Sequence, residues 1–193
     1  MGDDLEIRVR AQQPGDADAA FSVILTAFDD DPTVAPLDAD LARRSDSRGY
    51  VAEHDGRIVG HVRLTRCWVD AERALVEALV LSPLSVSPDV QGRGVGTALV
   101  GRAVAEAESS GAPAVVLEGD PGYYSRLGFR PAAELGIAPA SPRVPAPAFQ
   151  AVRFAAYEHW MRGPIVYPET FWTHDAVGLR GDTLAEVRAA LGE

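Results

Sequence analysis

Three alternating glycines in the middle of the chain constrain its fold most strongly. Gly92, Gly94 and Gly96 follow an apolar stretch that predicts a strand, and a helical repeat of apolar residues begins directly after them at Thr97. Glycines at such a place remove side chains that would block a ligand, and they leave unpaired N–H groups at a helix N-terminus. Those N–H groups and the positive end of the helix dipole favour an anion such as a pyrophosphate. The segment therefore predicts a strand–loop–helix unit that binds a phosphate-containing ligand.

Other phosphate-binding glycine loops fit this segment less well. A P-loop requires Gly-Lys-Ser/Thr, whereas this chain has Gly96-Thr97 without the lysine. A Rossmann fingerprint needs a third glycine where Leu99 stands, although Glu118 lies about 20 positions further on, where a ribose-binding acid is expected. A dinucleotide-binding oxidoreductase therefore stays open as the alternative.

Composition indicates one globular domain over residues 1–193. A chain of 193 residues with 47% hydrophobic and 24% charged residues is long enough for one substantial core but short for two.

The net charge of -10 argues against binding to nucleic acids or anionic membranes, because both require a basic surface. The acidic start of the chain does not fit a secretory signal, and no apolar run is long enough to span a membrane, so we expect a cytoplasmic protein. Cys67 is the only cysteine, and the histidines show no metal-ligand spacing, so we expect no metal site.

Part of the acidic excess is concentrated in one segment. Asp29-Asp30-Asp31, Asp38 and Asp40 predict a solvated loop that aids solubility. The alternative is an acidic wall for a cationic acceptor.

The first half of the chain predicts a strand, a helix and a hairpin. Residues 6–10 alternate as a strand should, and Pro14-Gly15-Asp16 predicts the start of a helix that continues to Phe28. Asp55-Gly56 between two apolar runs predicts a type I′ hairpin turn. Pro83 interrupts the next apolar stretch, which predicts a bulge or a parting of strands there.

The second half predicts shorter, mixed elements. The five prolines from Pro131 to Pro147 predict an irregular, stiff surface loop. The order of elements indicates an α/β or α+β fold with a mixed sheet. The other expected elements are a helix at 97–108, a strand at 114–117, a short helix at 123–127, strands at 149–155 and 165–167, and a final helix opened by a capping box at Thr183-Leu184-Ala185-Glu186.

Two motifs in order resemble a known superfamily. Gln91-Gly92-Arg93-Gly94-Val95-Gly96 matches the Q/R-x-x-G-x-G/A signature of the GNAT superfamily of N-acetyltransferases, and Tyr124-Ser125-Arg126-Leu127-Gly128-Phe129 matches its downstream Y-x-x-x-G-F motif. The residues 83–86 and 119–124 are also similar to a bacterial subgroup of predicted acetyltransferases.

The resemblance implies a GNAT-like fold, in which a mixed, splayed central sheet is flanked by helices and holds acetyl-CoA. It implies an acetyl-CoA-dependent acyltransferase that passes an acetyl group directly to an amine, on a small molecule or a peptide, that the sequence does not identify. A non-catalytic acyl-CoA sensor is a further alternative, and homodimers are common in families of this kind. The residues that the resemblance assigns to the cofactor are Leu84, Ser85, Val86, Gln91, Gly92, Arg93, Gly94, Val95, Gly96, Thr97, Asp120 and Tyr123.

Catalysis needs a proton donor for the leaving thiolate and a base for the amine. Tyr124 stands where family members often place the tyrosine that acts as the acid. An amine of lysine type has a pKa near 10.4, so deprotonation at pH 7 costs about 4 to 5 kcal/mol and favours a base. The candidates are Glu77, Glu118, Asp120 and His61, although for His61 we expect an ordinary surface or hydrogen-bonded strand histidine.

Overall fold

The computed structural model describes residues 6–29 and 31–193, which form two compact units. The N-terminal unit comprises the described residues of Met1–Thr65 and Leu81–Glu106, and the C-terminal unit comprises Arg66–Val80 and Ala107–Glu193. The predicted acidic N-terminus and Asp30 lie outside the described residues. Both units contain helices and strands, and the strand pairs are both parallel and antiparallel, so the predicted mixed α/β class is confirmed. The single-domain organisation stays a prediction.

The N-terminal unit is built on three antiparallel strands. Strand β1 pairs with β2, and β2 pairs with β3 through the hairpin turn, where Asp55 (φ 48°) and Gly56 (φ 72°) adopt the predicted left-handed conformation. Buried side chains from the strands and helices, such as Ile24, Leu41 and Val51, form its core. The elements that contribute to this unit are β1 (Arg8–Ala11), α1 (Ala17–Ala27), α2 (Val34–Ala42), β2 (Ser47–His54), β3 (Arg57–Asp70), β4 (Leu75–Val86) and α3 (Val95–Ser109), the last three of which continue into the C-terminal unit.

The C-terminal unit combines parallel and antiparallel pairs. Strand β4 pairs in parallel with β5 at Leu79↔Val115 and Val80↔Val116, and β5 pairs antiparallel with β8. Within the described residues, no helix is long and apolar enough to cross a bilayer. The further elements of this unit are β5 (Ala114–Glu118), α4 (Pro121–Tyr124), β6 (Arg130–Pro131), β7 (Ile137–Ala138), β8 (Phe149–Arg153), β9 (Gly163–Val166), α5 (Glu169–Thr173) and α6 (Gly181–Leu191).

Strand β4 continues through Pro83, but its parallel pairs with β5, at Leu79 and Val80, all lie before the proline, which agrees with the predicted parting of strands.

Two local predictions differ from the structure. The proline-rich segment is not a fully exposed loop. The side chains of Ile137 and Val144 are buried, and the segment contains short 3-10 turns. The predicted capping box at Thr183 is wrong, since α6 begins at Gly181 after Arg180, which makes no side-chain cap.

A buried ion pair stands at the centre of the N-terminal unit. The Arg63 guanidinium donates to both carboxylate oxygens of Asp38, with Nε–Oδ1 at 2.5 Å and Nη2–Oδ2 at 2.9 Å. Nη2 also donates to Oε1 of Gln12 at 3.0 Å. The expectation that Asp38 is a solvated acid is wrong, because α2 brings its side chain, only 5% exposed, against Arg63 of β3.

His61 of β3 lies beside this pair and is fully buried, so the surface alternative is wrong, whereas the hydrogen-bonded strand histidine is confirmed at one ring nitrogen. Its Nε2 is 3.3 Å from Oε1 of Gln12, whereas Nδ1 has no hydrogen-bond partner among the described residues and is 3.8 Å from Oδ1 of Asp38. Burial, with a smaller contribution from the Arg63 charge, lowers the pKa of His61 to about 4 against the attraction of Asp38, which raises it. The imidazole is therefore neutral at pH 7.

This burial predicts a loss of stability in acid. The unfolded chain takes up the His61 proton below about pH 6.5, whereas the folded chain takes it up only near pH 4, so the free energy of unfolding falls as pH decreases between these values. The full effect is roughly 3 kcal/mol. We expect urea unfolding of the wild type to lose about this much more stability from pH 7 to pH 4 than His61→Gln, with Asp38 and Arg63 intact in both. If the free energy of unfolding fell equally with pH in both proteins, His61 would not be the source of the acid sensitivity.

Candidate functional site

Two buried valines fix the glycine loop at its ends. Val90 closes a 3-10 turn after β4, and Val95 begins α3; both are almost fully buried, while the four residues between them are exposed. Gln91 donates from Nε2 to the Val86 carbonyl at 3.0 Å, which ties the loop back to the end of the strand. The loop is thus exposed to a ligand while its two ends stay fixed.

The position of α3 depends on a missing side chain on β3. A Cβ atom placed at Gly60 would lie 2.8 Å from Cδ1 of Leu99 and 3.0 Å from Cγ1 of Val95. Such approaches are tighter than carbon atoms tolerate, so the first turns of α3 can pack on β3 only because residue 60 is glycine. The helix N-terminus is thereby held at the end of β4.

The backbone of the loop has the conformation that an anion site requires. Gly92 (φ 72°) and Gly94 (φ 87°) lie in the left-handed region, where other residues are strained. The first helical bond of α3 runs from the N–H of Ala98 to the carbonyl of Gly94 at 3.0 Å. The N–H groups of residues 95–97 precede that bond and have no intrahelical acceptor, so they can donate to a phosphate at the positive end of the helix dipole.

The end of β4 supplies the other cofactor residues predicted in the N-terminal unit. Leu84 and Val86 are half-buried, whereas Ser85 is buried and directs its hydroxyl towards the carbonyl of His61 at 3.5 Å. The structure therefore brings residues 84–86 and 91–97 together in the N-terminal unit, and their binding of a cofactor stays a prediction.

Tyr124 and its motif form a second group, in the C-terminal unit. The Tyr124 ring packs edge-to-face on Tyr123 and on Phe129, with centroids 4.9 and 5.7 Å apart. Gly128 (φ 93°) ends the helical segment and lets the buried Phe129 turn back onto Tyr124. Burial raises the pKa of Tyr124, so its hydroxyl stays protonated well above neutral pH.

Gly119 sets the place of the Tyr124 ring. A Cβ atom at residue 119 would lie 2.4 Å from Cε2 of Tyr124, so the ring occupies the space that any other side chain would need. The Gly119 backbone is fixed by its N–H bond to the Ala148 carbonyl at 2.9 Å and by Nε2 of Gln150, which donates to its carbonyl at 3.1 Å. Sequence reasoning missed Gly119, although it lies within the stretch that resembles the bacterial subgroup.

Asp120 and Tyr123, which the sequence assigned to the cofactor, have structural partners. Oδ1 of Asp120 accepts from the Gly122 N–H at 2.8 Å and caps α4. The Tyr123 ring is half-buried, and the Arg126 guanidinium lies 6.0 Å from its centroid.

Glu118 is held at both carboxylate oxygens. Tyr167 donates its hydroxyl to Oε1 at 3.0 Å, and the Gly178 N–H donates to Oε2 at 3.2 Å. Burial raises the pKa of Glu118, while these two bonds and the Arg143 charge lower it in part. Sequence reasoning missed Tyr167 and Gly178, because no local pattern links residues so distant along the chain.

Glu77, the other predicted base, lies on the surface of the C-terminal unit. Its side chain is 67% exposed, and Oε1 accepts from Nη1 of Arg66 at 3.2 Å. The Arg66 guanidinium in turn lies 5.3 Å from the Trp68 ring centroid. Among the described residues, no three His, Cys, Asp or Glu side chains are grouped so as to hold a metal ion.

Comparisons with known proteins agree on one family. A family model described as the acetyltransferase (GNAT) family matches residues 17–129. The chain is 35% identical to the uncharacterized N-acetyltransferase YjhQ of Escherichia coli over 83 residues, which span 43% of this chain and 46% of YjhQ. It is 33% identical to the uncharacterized N-acetyltransferase YhbS of Escherichia coli over 129 residues, which span 65% of this chain and 74% of YhbS.

Solved structures show the same similarity. The Escherichia coli YhbS structure, a complex with CoA, matches with a TM-score of 0.77 and 28% identity over 89% of this chain and 94% of that one. A GNAT family acetyltransferase of Brucella melitensis in complex with acetyl-CoA matches with a TM-score of 0.69 and 27% identity over 86% and 98%. These matches confirm the GNAT-like fold expected from the sequence.

The bonds of Glu118 predict energetic coupling between Glu118 and Tyr167. Glu118→Gln replaces one acceptor with an amide donor that faces Tyr167 or Gly178, so we expect a loss of about 1 to 3 kcal/mol in the free energy of unfolding. Urea unfolding of Glu118→Gln, Tyr167→Phe and the double variant measures the coupling. We expect about 0.5 kcal/mol or more of coupling energy. If the losses in the two single variants added up to the loss in the double variant, the Glu118 carboxylate and the Tyr167 hydroxyl would not be coupled.

Proposed function

The chain belongs to the acetyltransferase (GNAT) family, and on that premise we propose that it transfers an acetyl group from acetyl-CoA directly to an amine. The observation that carries this proposal is the glycine loop, whose two left-handed glycines stand immediately before the free N–H groups of α3. The family match favours acetyl transfer over the dinucleotide-binding alternative.

The cofactor would be held by backbone groups of the N-terminal unit. The pyrophosphate of acetyl-CoA would accept hydrogen bonds from the N–H groups of residues 92–97, which the helix dipole favours. The Arg93 side chain is exposed beside these groups and adds a positive charge. Backbone groups of residues 84–86 would pair with the pantetheine arm. The complexes of similar proteins with CoA and acetyl-CoA support this proposal.

Acetyl transfer forms a nitrogen–carbon bond and breaks the carbon–sulfur bond of the thioester. The nitrogen loses one proton and the departing sulfur gains one, so protons balance without any other reactant. Tyr124 is our candidate for the acid that protonates the thiolate, because it stands at the tyrosine position of the family motif and its hydroxyl is protonated at neutral pH. Burial raises its pKa and so makes the proton harder to donate, and this cost is offset only when the thiolate forms next to it. The tyrosinate left at Tyr124 would then be protonated again by the proton that the acceptor nitrogen has lost.

Glu118 and Glu77 are the two glutamates proposed as the base for the acceptor amine. Glu118 already accepts hydrogen bonds at both oxygens, so its carboxylate is committed to Tyr167 and Gly178. Glu77 is exposed and has Arg66 as its partner, so an acceptor amine can reach its carboxylate. Of the two glutamates, Glu77 is therefore our candidate for the base that removes a proton from the amine. Positioning of the two substrates supplies much of the acceleration in either case.

The acceptor is proposed as a small-molecule or peptide amine. A cationic acceptor suits a chain of net charge -10, because opposite charge raises the rate of encounter. A cytoplasmic location and a homodimer are the accompanying proposals from the sequence.

The glycine loop predicts a specific loss of cofactor affinity. Gly94→Ala forces a side chain into a left-handed position and shifts the N–H groups of the loop, so we expect acetyl-CoA affinity to fall about tenfold or more, which is about 1.4 kcal/mol. Gly56→Ala is the matched control, because Gly56 has the same left-handed conformation in the β2–β3 turn with open space around it. Isothermal titration and thermal unfolding measure affinity and stability. We expect similar destabilisation in both variants and weakened binding in Gly94→Ala alone; equal affinities would overturn the loop assignment.

Removal of one hydroxyl tests the acid. For Tyr124→Phe we expect turnover to fall by about 100-fold or more with acetyl-CoA affinity kept, since the ring still packs on Phe129. Steady-state release of CoA with a panel of amines measures turnover, and Tyr123→Phe is the neighbouring control. Near-normal turnover in Tyr124→Phe would remove Tyr124 from the mechanism. Cofactor binding without turnover of the wild type on any amine would favour the acyl-CoA sensor.

A further inference from the structure

A cavity in the C-terminal unit is lined by three arginines. It has a volume of about 430 Å³ and lies over strands β6 and β8, and we name it the arginine cavity after Arg130, Arg153 and Arg162. His159 and Tyr157 also line it, and Glu134 is its one lining carboxylate among the described residues. Gly128 of the Tyr124 motif also lines the cavity, whereas no lining residue belongs to the glycine loop.

Strand register places two of the arginines on one face of the sheet. Arg130 of β6 stands opposite Ala151 of β8, so their side chains share a face. Arg153 is two residues beyond Ala151 on the same strand, and side chains two residues apart point the same way. Ala151 is 2% exposed and small, so it forms the floor of the cavity between the diagonal positions of Arg130 and Arg153. Like charges at such positions of one sheet face repel each other, and a bound anion would offset that repulsion.

The remaining walls are held in place by the proline-rich segment and its neighbours. Gly136 (φ 71°) allows the Arg162 side chain to pack over it, since a Cβ atom there would lie 2.9 Å from Cδ of Arg162. Tyr157 donates its hydroxyl to the Leu135 carbonyl at 2.6 Å, which fixes that ring at the edge of the cavity.

The charge of the cavity is opposite to that of the chain. The chain has 28 acidic and 18 basic residues, and some of its exposed arginines pair with carboxylates, as Arg57 does with Asp89 and Arg180 with Asp175. In residues 6–29 and 31–193, Arg130, Arg153 and Arg162 make no ion pair with a carboxylate. Other exposed arginines, such as Arg48, also make none within these ranges, but these three line one cavity. Three guanidinium groups against Glu134 leave an excess of positive charge around a concave surface.

We propose that the arginine cavity binds a small molecule carrying at least two oxyanion groups, either carboxylates or phosphates. A guanidinium presents paired N–H donors that match the oxygens of either group, and three of them around one cavity engage two such groups at once. The site is separate from the proposed cofactor loop and does not depend on the acetyltransferase proposal.

The test is isothermal titration of the purified full chain at low ionic strength with citrate and with inorganic pyrophosphate. Citrate represents carboxylates, pyrophosphate represents phosphates, and uncharged glycerol is the negative probe. We expect at least one of the two anions to bind the arginine cavity with a dissociation constant of about 1 mM or less, and to bind more weakly as salt is added. Tighter binding of citrate would indicate a carboxylate ligand, and tighter binding of pyrophosphate would indicate a phosphate ligand. Absence of binding by both anions below about 10 mM would overturn the proposal.

Variants locate the site. The double variant Arg130→Gln/Arg153→Gln and the single variant Arg162→Gln should each weaken binding by about tenfold or more. Arg180→Gln, which removes the same charge from an exposed ion pair in the same unit, should leave binding unchanged. Because the glycine loop also attracts anions, Gly94→Ala is titrated in parallel. Binding that is lost in Gly94→Ala and kept in the arginine variants would place the anion at the loop and overturn the proposal.

Discussion

The buried pair of Arg63 and Asp38 is the interaction on which the N-terminal unit depends. It joins β3 to α2, and the guanidinium also donates to Gln12, directly after β1, and to Ser47 of β2. Loss of one partner from such a pair costs about 3 to 5 kcal/mol, because the other charge is left without compensation. The same strand carries Gly60, the contact surface for α3, so the register that pairs Arg63 with Asp38 also sets where the α3 N-terminus lies.

Features encoded by neighbouring residues could be predicted from the sequence. The Asp55-Gly56 turn, the start of α3 and the glycine loop each rest on residues a few positions apart, so the pattern contains the whole physical cause. The same holds for the end of the Tyr124 segment at Gly128, which needs only a glycine at the right offset. The backbone conformation of the glycine loop is therefore the most predictable part of the candidate site.

Features that need distant partners could not be predicted. Asp38 looks like an ordinary surface acid until Arg63, 25 residues away, is found beside it. Glu118 looks like a free carboxylate at a strand end, yet its partner Tyr167 lies 49 residues further on. His61 is similar, since nothing in its own strand reveals that α2 and Gln12 cover it. Side-chain roles in this site are set by tertiary packing more than by motif.

The missing side chain at Gly119 has a consequence for how family signatures are interpreted. The Tyr124 ring fills the space where a single methyl group at residue 119 would stand. A descendant with alanine at this position would keep every letter of the Y-x-x-x-G-F motif while its phenol was forced to move. Two chains with identical signatures can therefore differ in whether the ring is in place, and a comparison that includes the residue before Asp120 separates them.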